Sequence, residues 1–192
     1  VADGLPLMSS RMHFSEVELS RVVCENLKPD ARVMIGGLGL GYTLRSALEL
    51  LPKSGTAVQV ELVAEIVAWN RGPLGKMADH PLDDPRTELA VEDVAKVIRH
   101  ARNEFDAIML DVDNGPQALT LKDNDWLYSL GGLKRAFAAL QPKGVLAIWS
   151  SGSDAAFAKR LGQAGFDVDE FRVRGRVGGK GAQNVVWIAI RI

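Results

Sequence analysis

Short apolar runs alternate along the chain with stretches in which apolar residues recur every three or four positions. The first pattern is typical of buried strands and the second of amphipathic helices. A capping box formed by Ser15 and Glu18 predicts a first helix that ends near Lys28. Strands are predicted at 31–35, 57–60, 87–91, 106–110, 145–149, 168–174 and 184–192, and helices at 43–51, 63–70, 94–102, 129–140 and 154–164.

The order of these elements predicts the fold class. Strands that alternate with helices form a parallel sheet with helices on both faces, joined by right-handed crossovers. A glycine-rich loop joins the last two strands, so they pair as an antiparallel hairpin. We therefore predict a doubly wound, mostly parallel seven-stranded α/β sheet with a C-terminal antiparallel hairpin, the Rossmann-like methyltransferase fold. Residues 1–30 are predicted to form an N-terminal extension and helix, and residues 31–192 a nucleotide-binding transferase domain.

Composition and charge exclude several classes of protein. The chain has 192 residues, of which 47% are hydrophobic and 24% are charged, as in an ordinary globular domain. With a net charge of -1, the chain has no excess of positive charge that would attract duplex nucleic acid or an anionic membrane. The apolar runs are too short to span a bilayer, and the chain does not open with a signal-peptide pattern. The expected location is therefore the cytoplasm.

The cysteine and histidine content argues against a metal site. Cys24 is the single cysteine, the three histidines are scattered, and no HExxH, CxxC or Cys/His cluster occurs. Cys24 falls in an amphipathic stretch, where we expect a small semi-buried hydrophobe without a chemical role. No metal cofactor is predicted.

A glycine turn follows the first predicted strand and leads into a helix, with the sequence Gly-Gly-Leu-Gly-Leu-Gly over residues 36–41. Such a turn lets the backbone approach a ligand and presents N–H groups at a helix N-terminus. Glu61 ends the next strand, at a spacing typical of an acid that accepts both ribose hydroxyls. Leu44 stands where a dinucleotide fingerprint has its third glycine, which favours an adenosyl sulfonium over NAD. The alternative is a turn that only lets helix and sheet pack.

Acidic residues also follow two later strands. Asp93 could accept a hydrogen bond from an adenine amino group, cap the helix that begins at Val94, or do both. Asp111 ends the most apolar strand and opens a loop that also contains Asp113. Two acids at this end of the sheet suit a cationic substrate or a catalytic base. A surface turn rich in Asp, Asn, Gly and Pro is the alternative.

Several of these segments together resemble the polyamine aminopropyltransferases, the spermidine synthase family, over about residues 31–149. The strand and glycine loop, the start of the next helix and the ribose-binding acid are all similar. So are the adenine-side segments, the strand with its catalytic aspartate loop, and the helix and strand that follow. The similar segments are 32–37, 43–45, 60–62, 84–86, 92–93, 106–116, 127–128 and 140–144.

The resemblance implies an activity, a donor and a set of site residues. The implied reaction moves an aminopropyl group from decarboxylated S-adenosylmethionine to a small-molecule amine, with Asp111 and Asp113 as catalytic residues. No membrane or nucleic-acid partner is expected, and a homodimer is compatible with this assignment. The implied donor-binding residues are Gly36, Gly37, Gly39, Gly41, Glu61, Leu62, Asp93 and Val94.

Two departures from the family pattern leave alternatives open. The family's glycine loop normally contains an aspartate that holds the aminopropyl amine, whereas residues 38–40 are Leu-Gly-Leu. Its catalytic loop usually has the pattern Asp-x-x-Asp-Pro, whereas residues 111–116 are Asp-Val-Asp-Asn-Gly-Pro. Methyl transfer from S-adenosylmethionine is therefore a second hypothesis, and a nucleotide-binding module without catalysis is a third.

Overall fold

The computed structural model of the chain describes residues 14–112, 125–174 and 183–192. The strands are β1 (Arg32–Gly36), β2 (Thr56–Glu61), β3 (Thr87–Val91), β4 (Phe105–Leu110), β5 (Leu140–Ser150), β6 (Phe166–Arg174) and β7 (Gln183–Arg191). The helices are α1 (Phe14–Cys24), α2 (Tyr42–Leu50), α3 (Ala64–Arg71), α4 (Val94–His100), α5 (Asp125–Tyr128), α6 (Leu130–Ala139) and α7 (Ala155–Ala164). Two short 3-10 turns, Gly75–Ala78 and Pro81–Asp83, lie between α3 and β3.

All seven strands belong to one sheet, in the order β3-β2-β1-β4-β5-β7-β6. The strands β1 to β5 pair in parallel, whereas β7 pairs antiparallel with both β5 and β6. The predicted doubly wound, mostly parallel sheet with a C-terminal antiparallel hairpin is therefore confirmed. β1 and β4 are neighbours at the centre, so the direction of winding reverses between them, which is where ligands bind in such sheets.

Apolar side chains pack into two clusters, one on each face of the sheet. Along β1, Met34 belongs to the cluster covered by α4, α6 and α7, and Ile35 to the cluster covered by α1, α2 and α3. The central strands are thus buried on both faces, which explains why they are continuous apolar runs rather than alternating ones. Cys24 is 1% exposed in the second cluster, and burial raises the pKa of its thiol to about 12. Cys24 is therefore more deeply buried than the semi-buried position expected from the sequence.

Two element boundaries differ from the sequence prediction by more than two residues. α1 ends at Cys24 and not near Lys28, whose ammonium instead pairs with Asp106 of β4 at 3.0 Å. β5 begins at Leu140, before the predicted turn at 141–144, which is an irregularity inside the strand. Phe105 pairs with Leu140 and Ala107 with Val145, so the intervening residues bulge out, with Lys143 at a φ of 65°. A bulge and a turn use the same residue types, which is why the sequence did not separate them.

The helices of the described segments are too short or too polar to cross a membrane.

Candidate functional site

The site residues predicted from the sequence gather at the carboxyl ends of β1, β2 and β4. Gly36 ends β1, Glu61 ends β2, and Asp111 directly follows β4. The strand register sets Gly36 beside Val60 on one side and beside Leu110 on the other. The glycine turn and the two acids therefore meet at the point where the winding direction of the sheet reverses.

The turn after β1 requires glycine for conformation and for packing. Gly37, Gly39 and Gly41 have φ values of 87°, 51° and 85°, in the region that L side chains rarely adopt. A Cβ on Gly37 would lie 2.5 Å from the backbone oxygen of Asp111, so the main chains after β1 and β4 are in direct contact. The packing role of this turn is thus present in the structure, and a ligand role would be additional to it.

Glu61 is a buried acid whose carboxylate joins two loops. Its Oε2 accepts a hydrogen bond from the Leu38 N–H at 2.9 Å, and its Oε1 accepts one from the Val63 N–H at 2.8 Å. The residue is 7% exposed. A carboxylate offers roughly four lone-pair sites, so each oxygen can accept one further hydrogen bond. The arrangement can therefore receive a pair of hydroxyl groups beside the glycine turn.

Asp111 is a partly buried acid on the other side of the turn. Its backbone N–H donates to the Gly36 carbonyl at 3.0 Å, and its Oδ2 accepts a hydrogen bond from the Thr43 hydroxyl at 2.7 Å. Burial raises the pKa of Asp111, and the hydrogen bond from Thr43 opposes that rise. A carboxyl group with a raised pKa at the carboxyl ends of the parallel strands is a candidate for proton transfer.

The other residues predicted to bind the donor, Leu62, Asp93 and Val94, lie just after β2 and β3. Asp93 is the N-cap of α4, because its Oδ1 accepts a hydrogen bond from the Ala95 N–H at 2.7 Å. Val94 is buried against the glycine turn, where a Cβ on Gly36 would lie 3.0 Å from its Cγ2. Leu62, next to Glu61, is 61% exposed. The capping role of Asp93 is confirmed, and its Oδ2 does not take part in the cap.

The second predicted catalytic acid, Asp113, lies outside the described residues. The chain just before it is held by Tyr128 of α5, whose hydroxyl donates to the Val112 carbonyl at 3.1 Å. Tyr128 is 4% exposed and packs edge-on against Phe157. The buried tyrosine therefore fixes the backbone directly after Asp111.

The resemblance assigns residues 84–86 to the adenine side. They lie at the amino ends of the parallel strands, opposite the glycine turn. They precede β3, and Arg86 accepts a hydrogen bond from the Ala57 N–H at the start of β2. The Arg86 guanidinium pairs with Asp84 at 2.8 Å and donates to the Leu51 carbonyl beyond α2 at 2.8 Å. Of the two segments assigned to the adenine side, only residues 92–93 are near the site.

Buried polar residues that the sequence analysis did not single out support the turn. Asn70 of α3 is 1% exposed and donates its Nδ2 to the Gly39 carbonyl at 2.9 Å, while Thr43 of α2 is 3% exposed and holds Asp111. Both occupy helix positions that face the sheet, among Leu44, Ala47 and Val67. A polar residue in a buried helical position was the available signal, since such groups require a partner. Within the three described segments, no group of acids, histidines and cysteines is arranged to hold a metal ion.

Comparisons with known proteins give one family. The family model for the spermine/spermidine synthase domain matches residues 13–155. Polyamine aminopropyltransferase 1 of Streptomyces coelicolor is 29% identical over 155 residues, which cover 76% of this chain and 28% of the relative. A polyamine aminopropyltransferase of Thermotoga petrophila is 33% identical over 110 residues, covering 57% and 36% of the two chains. The chain thus spans only about a third of the length of these relatives.

Solved structures share the fold at lower identity. Spermidine synthase from Thermotoga maritima has a TM-score of 0.73 at 20% identity, over 93% of this chain and 59% of that one. A 1,6-didemethyltoxoflavin-N1-methyltransferase of Burkholderia thailandensis has a TM-score of 0.64, also at 20% identity, over 92% and 78% of the two chains. Both likenesses establish the fold, and both transferase types share it.

Proposed function

Because the chain belongs to the spermine/spermidine synthase domain family, we propose that it binds an adenosyl sulfonium donor and transfers an aminopropyl group to a small amine. One observation carries this proposal: two carboxylates flank a single glycine turn. Glu61 accepts the Leu38 N–H on one side, and Asp111 contacts Gly37 and Thr43 on the other. A donor with its ribose on Glu61 would therefore direct its sulfonium toward Asp111.

The donor would lie over the glycine turn. Glycines at these positions let the ribose and the sulfonium approach the backbone, and the remaining lone pairs of Glu61 would accept the ribose hydroxyls. The adenine ring would lie between the exposed Leu62 side chain and the start of α4. The proposed donor-binding residues are Gly36, Gly37, Gly39, Gly41, Glu61, Leu62, Asp93 and Val94.

The proposed reaction is a direct displacement. The amine first loses its ammonium proton, and its nitrogen lone pair then attacks the carbon next to the sulfonium. A C–N bond forms while the C–S bond breaks, and the electron pair of that bond returns to sulfur, which leaves as the neutral thioether methylthioadenosine. Asp111, with Asp113, would accept the proton or orient the ammonium. Burial raises the pKa of Asp111, which brings it toward the range in which a base works at neutral pH.

The charges around the turn favour decarboxylated S-adenosylmethionine as the donor. Its tail ends in an ammonium, whereas the tail of S-adenosylmethionine also carries a carboxylate. Arg32 and Arg45 are the basic residues nearest the turn in sequence, and both are already paired. Arg32 lies at the start of β1 and pairs with Glu88 at 2.7 Å, and the Arg45 guanidinium pairs with Glu49 at 2.9 Å and Asp79 at 3.1 Å. A donor carboxylate would meet acids rather than these cations, and burial of an unpaired carboxylate is strongly unfavourable.

Methyl transfer from S-adenosylmethionine is the second candidate, and one observation favours it. The glycine turn holds leucines where the aminopropyltransferase family has an aspartate for the aminopropyl amine. Leu38 is 4% exposed and packs in the apolar cluster under the turn. The leucines at this turn therefore offer no carboxylate to a donor amine.

A product assay separates these activities. The chain would be incubated with a diamine and either decarboxylated S-adenosylmethionine or S-adenosylmethionine, and the products would be identified by mass spectrometry. We expect methylthioadenosine and an aminopropylated amine from the decarboxylated donor, and loss of both products in Asp111→Asn. Glu88→Gln is the matched control, because Glu88 pairs with Arg32 at the opposite edge of the sheet.

Two other outcomes would contradict the proposal. Formation of S-adenosylhomocysteine with the second donor alone would establish methyl transfer instead. Calorimetric binding of methylthioadenosine without turnover of either donor would indicate a nucleotide-binding module.

A further inference from the structure

Thr43 lies where α1, α2 and β4 meet. It is the second residue of α2, a helix whose N-cap, Gly41, offers no side chain. Its hydroxyl donates to Asp111 Oδ2 at 2.7 Å, and its backbone carbonyl accepts a hydrogen bond from the Ser20 hydroxyl of α1 at 2.9 Å. Thr43 and Ser20 are 3% and 0% exposed. The threonine is therefore held through its main chain while its side chain holds the acid.

The backbone of Asp111 is already fixed by the turn. Its N–H donates to the Gly36 carbonyl, and its own carbonyl lies against Gly37 too closely for a side chain there. The freedom that remains is rotation of the carboxyl group about the side-chain bonds. The Thr43 hydroxyl, which is buried and lies 2.7 Å from Oδ2, restrains this rotation.

We propose that Thr43 is a positioning residue that binds one carboxylate oxygen of Asp111, Oδ2, and so commits the other, Oδ1, to the proton of the attacking amine. This inference rests on the proposed function, since it assigns the oxygen of Asp111 that meets the acceptor. It adds to the site a residue that neither the glycine pattern nor the acid pattern marks.

The same hydrogen bond favours the ionised form of Asp111. Burial raises the pKa of Asp111, and the hydroxyl of Thr43 lowers it. Within the described part of the chain, no charged side chain of α1, α2 or β1 shifts the pKa of Asp111. Burial and the Thr43 hydroxyl are the two influences on it. Without the hydroxyl, burial would act unopposed and a smaller fraction of Asp111 would be ionised at neutral pH.

A purely structural role for Thr43 predicts something different. If the hydroxyl only ties β4 to α2, its loss lowers stability but leaves the rate per folded molecule and the titration of Asp111 unchanged. The hydrogen bond from Ser20 goes to the Thr43 backbone, so side-chain variants at position 43 keep that anchor. The two roles can therefore be separated by substitutions of Thr43 alone.

The test compares three variants. Thr43→Val keeps the shape and removes the hydroxyl, and Thr43→Ser restores a hydroxyl. Thr87→Val is the matched control, because the Thr87 hydroxyl donates to the Pro81 carbonyl at 2.9 Å near the start of β3. One readout is the pH titration of the Asp111 carboxyl carbon by NMR, with the resonance assigned from Asp111→Asn. The other is the pH profile of kcat together with KM for the donor.

In Thr43→Val we expect a higher pKa for Asp111, an acidic limb of the kcat profile moved to higher pH, and a kcat at neutral pH lowered roughly tenfold. KM for the donor should stay within about twofold, because the donor contacts are not removed. Thr43→Ser should return both readouts toward the wild type, and Thr87→Val should change neither. If Thr43→Val does not fold, Thr43→Ala supplies the same comparison.

The inference would be overturned if a folded variant without the hydroxyl kept the wild-type pKa of Asp111 and the wild-type pH profile of kcat. Thr43 would then have only a structural role. The carboxyl titration needs no turnover, so it decides the hydrogen bond's role even in a chain that proves inactive. Absence of both products in the wild type would instead count against the proposed function.

Discussion

The amino edge of the sheet, where the parallel strands begin, and the carboxyl edge, where they end, use their carboxylates in opposite ways. At the amino edge, Asp106 pairs with Lys28 at 3.0 Å, Glu88 with Arg32 at 2.7 Å and Asp84 with Arg86 at 2.8 Å. At the carboxyl edge, Glu61 and Asp111 are held by neutral donors, which are two backbone N–H groups and a hydroxyl.

The contrast extends to a single strand, because β4 has Asp106 near its start and Asp111 just past its end. It also extends to titration. The guanidinium groups lower the pKa of Asp84 and of Glu88, whereas burial raises that of Asp111. The difference teaches that the acids at the amino edge are neutralised by cationic side chains, while Glu61 and Asp111 have neutral partners and so remain available to a ligand.

The largest effect is expected from the acid with the raised pKa. Asp111→Asn keeps the shape of the side chain and removes the charge, so turnover should fall roughly 100-fold or more, the scale of a lost positioned base. Donor affinity should stay nearly normal, because Asp111 is proposed to act on the amine. Steady-state kinetics and calorimetry measure the two quantities.

The matched variant at the other end of β4 is Asp106→Asn. It removes the partner of Lys28 and should lower stability without changing kcat. Equal loss of donor binding and turnover in Asp111→Asn would make that residue part of the nucleotide site instead.

The next effect concerns the ribose. Glu61→Ala should weaken binding of methylthioadenosine by about 1.5 to 3 kcal/mol, the range for hydrogen bonds to a charged group. Because the Glu61 carboxylate also holds Leu38 and Val63, the thermal stability of the variant must be measured beside its affinity. Glu88→Ala, which removes an acid from the amino edge, should leave affinity unchanged. An affinity equal to the wild type in Glu61→Ala would remove the ribose assignment.

The donor preference tests whether the carboxyl edge is selective for cations. In a competition titration, decarboxylated S-adenosylmethionine should bind more tightly than S-adenosylmethionine, since Arg45 is already paired with Glu49 and Asp79. A thermal-shift series with both donors gives an independent ranking, because stabilisation follows affinity for the native state. A tenfold advantage for S-adenosylmethionine, about 1.4 kcal/mol, would favour the methyltransferase instead.

The apolar pattern predicted the fold because each central strand is buried on both faces and each helix on one. The closing hairpin followed from the glycine-rich sequence between the last two predicted strands, and the glycine turn with Glu61 followed from fixed spacing. The hydrogen bond of Thr43 to Asp111 joins residues 68 positions apart, and that of Asn70 to Gly39 residues 31 positions apart. No local pattern encodes such contacts. Residues 84–86 precede β3 and so lie at the amino edge of the sheet, away from residues 92–93, with which the resemblance groups them.

The smallest effect, on stability, gives the two edges opposite signs of pH dependence. The folded state raises the pKa of Asp111 above its unfolded value, so it favours the protonated form. As pH rises from the unfolded pKa through the folded pKa, this acid opposes folding increasingly. Asp111→Asn should therefore stabilise the chain near neutral pH, with less gain in acid. The folded state lowers the pKa of Asp84, so its contribution is present above the unfolded pKa and is lost as pH falls. Asp84→Asn should be destabilising at neutral pH and progressively less so in acid. Urea unfolding of both variants at about pH 4 and pH 7.5 measures the signs, and matching slopes for the two acids would contradict the contrast between the edges.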